Sequence, residues 1–255
     1  TPDSFSDGGK FNVENKALKR ISEMLNSGAN IIDVGGESTR PGSKIISSKI
    51  EWQRIKMIIK KFKKNFPKAL LSIDTRKSKV AMSALKYGAD MVNDVSSLSD
   101  PEMKNVILEN KCPICIMHMK GIPGNMQNNP IYEDVVTEVK QYLRGVSEEL
   151  IESGVESKNI INDPGIGFGK LLKHNLKLLS AGREIISDNS MPLMWGVSRK
   201  KMFGDLLGRN ETKNRLAGTL GVAAMSPTKE VDIIRVHDVP EHLDLFRSMA
   251  ALEEG

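Results

Sequence analysis

The chain has 255 residues, of which 39% are hydrophobic and 27% charged, the size and usage of one large globular domain or two small ones. It has no run of about 18 apolar residues, so no membrane span is predicted, and its polar start, Thr1-Pro2-Asp3, is unlike a signal peptide. The net charge is +5 and the pI about 9.1, but only 5% of residues are aromatic and no known binding module is visible, which argues against a nucleic-acid partner. A mildly basic protein suits an anionic small substrate.

Apolar strands alternate with amphipathic helices along the whole chain. Strands are predicted at 30–36, 69–74, 91–95, 113–119, 159–163, 193–197 and 233–236. Helices are predicted at 12–28, around 55–62, at 78–87, just after Pro101, and at 135–150, 176–186, 214–225 and 240–252. Three segments, 1–9, 37–43 and 121–129, are predicted loops.

The pattern of elements favours a parallel sheet covered by helices. No linker or shift in composition divides it, so residues 1–255 are predicted to form a single domain. Eight helices but seven strands fit a (β/α)8 barrel of the TIM type whose first strand lies just before Thr1. The absence of an initiator Met likewise indicates a fragment. An open doubly wound sheet is the alternative, but it concentrates polar residues at one switch point.

Two cysteines, Cys112 and Cys115, form a C-x-x-C motif. A redox role needs an exposed, activated thiol at a helix start. Here both lie in CPICIMHM, a sequence typical of a buried strand, so we expect structural thiols. Few cysteines and no secretory signal favour the reducing cytoplasm.

Polar side chains follow nearly every predicted strand. In NIINDPGIGFGK (159–170), Pro164 cannot donate to a sheet ladder, so the strand should stop at Asp163, beside a glycine-rich loop that can approach a ligand closely. The carboxyl ends of barrel strands build the active site. The candidates there are Asp33, Asp74, Asn93, Asp94, His118, Asp163, Ser198, Arg199, Lys200, Arg235, His237 and Asp238. Buried carboxylates cost several kcal/mol unless they are paired, so some should await a ligand.

These candidates divide by charge. Asp74, Asn93 and Asp163 suit a neutral heterocycle with an amino-amidine edge, because a carboxylate binds such an N–H pair with both oxygens. Lys200, Arg235 and His237 form a cationic arc after the last two strands, where barrels commonly hold phosphate. The sequence therefore predicts a substrate with a polar heterocycle at one end and a phosphate or diphosphate at the other.

Metal ligation by Cys or His is not predicted. His174 and His242 lie in helical surface patterns, and His118 and His237 are single residues at strand ends. A divalent ion held through phosphate oxygens and one or two oxygen ligands stays open. The run GIGFGK is neither a P-loop nor a dinucleotide fingerprint, so no nucleotide is predicted there.

Eight sequence blocks occur along the chain in the order TPDSFSDGG, IIDVGGESTRPGS, SIDTRK, VNDVSS, IMHMKG, NDPGIGFGK, GVSRKK and IIRVHDV. Together they resemble the dihydropteroate synthase family, the sulfonamide target of folate synthesis. The resemblance implies a TIM barrel that joins 6-hydroxymethyl-7,8-dihydropterin diphosphate to 4-aminobenzoate and releases diphosphate. It also implies Mg²⁺, whose family ligand is an Asn before Thr1, sulfonamides as competitors, and a homodimer.

The resemblance also implies roles for individual residues. Pterin is expected at Asp33, Asp74, Asn93, Met117, Asp163 and Lys200. Diphosphate is expected at Arg40, Arg235 and His237. Aminobenzoate is expected at Phe5, Thr39, Arg40, Pro41, Gly167, Phe168 and Ser198. The residues expected to serve catalysis are Lys200, Arg235, His237 and Asp7, the last helping to close the site.

Two other functions compete with this interpretation. A methyltetrahydrofolate-dependent methyltransferase would share an acidic pterin pocket, but gives no reason for the TPDSFSDGG, ESTRPG, SRK and RVHD blocks. A non-catalytic pterin-binding protein would make Lys200 and Arg235 dispensable. Formation of dihydropteroate separates all three.

Overall fold

The computed structural model describes residues 10–39, 42–121, 126 and 129–254 of the chain. Its strands are β1 (Ile31–Gly35), β2 (Leu70–Asp74), β3 (Met91–Asp94), β4 (Ile114–Met117), β5 (Ile160–Asp163), β6 (Met194–Trp195) and β7 (Ile233–Ile234). Its helices are α1 (Lys10–Asn26), α2 (Ser48–Asn65), α3 (Ser78–Lys86), α4 (Met103–Asn110), α5 (Val135–Glu152), α6 (Leu172–Ala181), α7 (Met202–Leu207), α8 (Leu216–Ala223) and α9 (Val239–Glu254). The predicted alternation of strands and helices is confirmed.

All paired strands are parallel and lie side by side in chain order. β1 to β5 form one ladder, β6 pairs with β7, and a bridge between Asn162 and Leu193 links the two groups. If this sheet were flat, its first and last strands would be about 29 Å apart, six steps of about 4.8 Å. Instead Arg235, which follows β7, donates to Asp33 on β1 at 2.6 Å. The sheet therefore curls round on itself, as a barrel requires and an open sheet does not.

The core lies on both faces of these strands. Every residue of β3, β4 and β5 is buried, as expected of parallel strands covered on both sides. One hydrophobic cluster runs from Ile21 on α1 to Phe203 on α7. That residues 1–255 form a single domain stays a prediction. The strand that the sequence places before Thr1 lies outside the described residues.

Helix boundaries follow local chemistry in most places. Ser47 caps α2 by accepting the N–H of Ile50 at 3.3 Å. α1 ends before Gly28, whose φ of +95° suits glycine and whose missing Cβ leaves room for Leu243. The predicted helix at 176–186 was misplaced, because Leu176 is exposed and the buried face of α6 begins with the polar pair His174 and Asn175. None of the described helices has the length and apolarity that a membrane span needs.

Two predictions about single side chains had different outcomes. His174 and His242 are buried rather than on the surface, because His174 accepts the N–H of Leu171 at the start of α6 and His242 bonds the Asp238 carbonyl at 2.6 Å. The prediction of structural cysteines is confirmed. Both thiols are free and buried, and burial raises the pKa of Cys112 to about 11.

Candidate active site

The carboxyl ends of the strands bring together the polar residues that the sequence selected. The ladder pairs Gly35 with Asp74, Asp74 with Asn93, and Met117 with Asp163. β5 ends at Asp163 as predicted, since Pro164 follows it. Parallel pairing in this register brings Asp33, Asp74 and Asn93, from β1, β2 and β3, toward one end of the barrel, where they line a large cavity.

Arg235 joins two carboxylates from the far side of the barrel. Its Nε donates to Asp33 Oδ2 at 2.6 Å and its Nη2 to Asp74 Oδ2 at 2.9 Å. Asn93 Nδ2 donates to the same oxygen of Asp33 at 3.1 Å. The predicted separation of acidic and cationic ends therefore does not hold at Arg235, whose guanidinium lies among the acceptors.

Burial and neighbouring charges shift the pKa values of the side chains in this cluster. Burial and the neighbouring Asp33 carboxylate raise the pKa of Asp74 to about 7, although Arg235 opposes the shift. The attraction of Asp33 and Asp74 raises the pKa of Arg235. The second oxygen of Asp33, Oδ1, is buried without a partner among the described residues. The cluster thus offers acceptors to a ligand with N–H groups.

Lys200 lines the other side of the cleft, and Asp163 is buried behind it, outside the described residues that line the cavity. Asp163 Oδ1 accepts the N–H of Gly165 at 2.7 Å, and burial raises the pKa of its carboxyl. Burial lowers the pKa of Lys200 to about 8, against the opposing pull of Asp163. The Lys200 ammonium donates to the Ile166 carbonyl and lies 4.6 Å from the centre of the Phe168 ring. Such a cation over an aromatic face is favourable.

Ser198 and His237 connect the ends of the last two strands. Ser198 Oγ lies 2.9 Å from His237 Nδ1 and accepts the backbone N–H of His237 at 3.2 Å. Both residues line the cavity, as do Thr39, Gly167 and Phe168. The aminobenzoate and diphosphate candidates among the described residues therefore face the same space as the carboxylates.

Other strand-end candidates have structural partners instead. Arg199 pairs with Asp238 through two hydrogen bonds of 2.8 and 2.6 Å. Asp94 is fully buried and accepts from the backbone of Ser96 and Leu98. Asp94 holds its loop in shape and is not among the described residues that line the cavity, whereas Arg199 and Asp238 line it as a mutually paired couple.

Several candidates have a different position or no description. Met117 is buried beneath Gly165, whose added Cβ would come within 3.2 Å of its Cγ, and is not among the described residues that line the cavity. Phe5, Asp7, Arg40 and Pro41 lie outside the described residues. Within the described ranges, no three His, Cys, Asp or Glu side chains meet in a way that could hold a metal ion.

A buried charged network beneath the cleft escaped the sequence reasoning. Glu37 accepts from Arg76 Nε and Lys77 Nζ, each at 2.8 Å, and from the Ile46 N–H at 2.8 Å. Lys77 also pairs with the fully buried Glu51 at 2.5 Å. The network ties the segment after β1 to the one after β2. Its only sequence signal was the charge of ESTRPG and DTRK beside strand ends.

Comparisons with known proteins show the family of the chain. A family model described as pterin binding enzyme matches residues 1–237. The chain is 41% identical, over 98% of its length and 88% of the relative's, to dihydropteroate synthase of Escherichia coli strain K12.

The chain belongs to the dihydropteroate synthase family of pterin-binding enzymes.

Solved structures of the family confirm the TIM-barrel fold. Yersinia pestis dihydropteroate synthase in complex with a sulfonamide drug is 37% identical with a TM-score of 0.91, covering all of this chain and 91% of that one. The Xanthomonas albilineans enzyme with 4-aminobenzoic acid is 32% identical with a TM-score of 0.91, covering 99% of this chain and 89% of that one. The rival of an open doubly wound sheet is thereby excluded.

Proposed function

We propose that this dihydropteroate synthase family chain condenses 6-hydroxymethyl-7,8-dihydropterin diphosphate with 4-aminobenzoate to give 7,8-dihydropteroate and diphosphate. The observation that carries the proposal is the cluster at the strand ends, where Arg235 lies between Asp33 and Asp74 with Asn93 alongside. It combines acceptors for a heterocycle with a cation for a phosphate group. The chemistry is the transfer of an alkyl group to an amine nitrogen, with formation of a C–N bond.

The pterin is assigned to Asp33, Asp74, Asn93, Met117, Asp163 and Lys200. Asp74 and Asp163 are both buried acceptors, and an amino-amidine edge presents paired N–H donors to such groups. Lys200 faces the carboxylate of Asp163 and supplies a donor beside it. Met117 acts from beneath Gly165 by supporting the floor of the pocket.

The diphosphate is assigned to Arg40, Arg235 and His237. The Arg235 side chain is 44% exposed and opens into the cleft, so it can meet an anion while it contacts both carboxylates. As the bond between the pterin methylene carbon and the bridging oxygen breaks, the electron pair leaves with diphosphate. Fixed cations stabilise that growing negative charge. The carboxylates of Asp74 and Asp163 stabilise the positive methylene carbon left behind.

The aminobenzoate is assigned to Phe5, Thr39, Arg40, Pro41, Gly167, Phe168 and Ser198. Its amine nitrogen attacks the methylene carbon, forms the C–N bond and then loses a proton. Phe168 offers a flat apolar surface beside Lys200, and Ser198 offers a hydroxyl next to His237. Closure by the segment that carries Asp7 would exclude water, which competes for the same carbon.

The family resemblance also suggests Mg²⁺, which when bound would neutralise part of the diphosphate charge. The described residues offer no cluster of three ligands that fits an ion held by protein alone. When present, the ion would be held through phosphate oxygens together with the Asn that the family resemblance places before Thr1. The free thiols of Cys112 and Cys115 suit a reducing compartment, and we propose the cytoplasm.

Incubation of the protein with both substrates and Mg²⁺, followed by mass spectrometry, tests the function. We expect dihydropteroate, and none when either substrate is left out. A methyltransferase or a non-catalytic pterin-binding protein would give no dihydropteroate. Absence of product from protein that still binds pterin would therefore contradict the proposal.

We also propose that the protein is a homodimer that associates through α7 and α8. Leu206, Leu207 and Met225 are 45%, 48% and 49% exposed, and α8 buries few of its apolar residues. Light scattering should give twice the chain mass of 28.2 kDa. Leu206→Glu combined with Leu207→Glu should give monomers, whereas Leu252→Glu, at another exposed leucine, should not. A monomeric wild type would contradict the proposal.

A further inference from the structure

Lys170, which the sequence did not select, is a buried lysine in the wall of the cleft. Its side chain is 3% exposed, and its Nζ lies 2.9 Å from His118 Nδ1, 3.1 Å from the His118 carbonyl and 3.1 Å from the Phe168 carbonyl. All three partners are neutral acceptors. A buried lysine is costly unless its partners are complete, so this arrangement needs an explanation.

The loop that carries Phe168 is pressed against the backbone after β4. A Cβ added at Gly165 would lie 1.9 Å from the His118 carbonyl oxygen, and one at Gly169 would lie 2.4 Å from that of Lys120. Both glycines have positive φ, of 68° and 61°. Only glycine permits contacts this close, so the loop packs against the neighbouring strand end in one position.

Lys170 holds the loop in that position from its buried side. By donating to the His118 and Phe168 carbonyls, its amine links the strand end of β4 to the tip of the loop. Asn175 and Tyr132 hold the flanks of the loop: Asn175 accepts the Gly167 N–H at 2.8 Å, and Tyr132 donates to the Gly169 carbonyl at 2.7 Å. The Phe168 carbonyl receives its bond from Lys170.

The pairing of Lys170 with His118 is complete in either protonation state of the lysine. An ammonium donates three hydrogens, the third to an unprotonated His118 Nδ1. A neutral amine donates two to the carbonyls and accepts from a protonated Nδ1 of the other neutral tautomer. Burial lowers the pKa of Lys170, and burial together with Lys170 lowers the pKa of His118 to about 3, so the imidazole stays neutral. The hydrogen bonds of the Lys170 amine therefore persist whether or not the amine is charged.

We propose that Lys170 is a positioning residue that fixes the glycine-rich loop so that Phe168 lies over Lys200 and shapes the aminobenzoate subsite. The link runs from the Lys170 amine to the Phe168 carbonyl, and from the Phe168 ring to the Lys200 ammonium at 4.6 Å. The inference rests on the proposed function, because it assigns a cause to the shape of one of its subsites. Lys170 itself does not touch the reacting atoms in this role.

Lys170→Met tests the inference, with Lys173→Met, at an exposed lysine on α6, as the matched control. We expect the KM for aminobenzoate and the Ki of a sulfonamide to rise at least about tenfold, because the loop is no longer held against the end of β4. The KM for pterin diphosphate should stay within about twofold. The control should match the wild type in all three. A general loss of folded protein would instead lower the apparent kcat and leave both KM values alone.

A milder variant keeps the test decisive if Lys170→Met does not fold. Tyr132→Phe removes the bond to the Gly169 carbonyl and should raise the aminobenzoate KM alone, by a few-fold. Unchanged aminobenzoate KM in folded Lys170→Met, or equal rises for both substrates, would overturn the role of Lys170. Unchanged aminobenzoate KM in Tyr132→Phe would overturn the premise that the position of the loop shapes the subsite, and the proposal with it. The wild type run beside them separates the two claims, since its failure to make dihydropteroate would contradict the proposed function itself.

Discussion

Replacing Asp74 by Asn is expected to lower the affinity for pterin diphosphate at least about 100-fold. The carboxylate accepts with both oxygens, whereas an amide presents a donor in place of one acceptor and leaves a ligand N–H unpaired, at a cost of about 3 kcal/mol. Calorimetric titration measures the change. Asp232→Asn, at a carboxylate that accepts from the Leu193 N–H beside β6, serves as the control and should bind normally. Normal affinity in the Asp74 variant would mean that Asp74 is structural.

The same substitution should change how stability depends on pH. In the wild type the folded Asp74 keeps its proton up to about pH 7, whereas the unfolded chain loses it near 3.8. The folded state therefore binds more protons between these values, and the free energy of unfolding falls as pH rises from about 4 to about 7. Asp74→Asn should remove that part of the fall, as denaturant titrations across this range would reveal. An identical pH profile in both proteins would contradict the burial argument.

Replacing Arg235 by Met should reduce kcat/KM on the order of 1000-fold. A fixed cation at the leaving group is worth about 3–4 kcal/mol in the transition state. The variant also leaves Asp33 and Asp74 as neighbouring carboxylates without their shared partner. The free energy of unfolding should fall by about 1–3 kcal/mol, less than for a fully buried ion pair because Arg235 is 44% exposed. Steady-state kinetics and urea titration measure the two effects.

A double variant separates the catalytic effect from the structural one. Arg235→Met with Asp33→Asn removes one of the two repelling carboxylates, so much of the lost stability should return while turnover stays low. Arg183→Met, which breaks the ion pair of a mostly buried arginine with the half-exposed Asp232, should keep full activity. Recovery of turnover in the double variant would show that Arg235 only compensates charge.

Much of the site could be predicted because parallel strands impose one polarity. Asp74, Asn93 and Asp163 each lie at or next to the end of an apolar run, and parallel strands bring such ends together at one edge. The stop at Asp163 followed from Pro164 alone. Features that depend only on neighbouring residues in the sequence could therefore be predicted.

What the sequence could not provide were pairings between distant residues. Arg235 and Asp33 are 202 positions apart, so their contact depends on the closure of the barrel rather than on any local pattern. Lys170 and His118, 52 positions apart, form a hydrogen bond that likewise depends on the tertiary fold. α7 was missed because its six residues span fewer than two helical turns. The start of α6 was misread because the first buried residues of the helix, His174 and Asn175, are polar and its leucines are buried only from Leu178 onward.

The most direct test of condensation at these strand ends is to count diphosphate released against dihydropteroate formed by the wild-type protein. We predict one diphosphate for each dihydropteroate, and release of both only when pterin diphosphate and aminobenzoate are present together. Pterin binding without aminobenzoate-dependent release of diphosphate would contradict the proposed reaction and leave a pterin-binding protein that does not catalyse it.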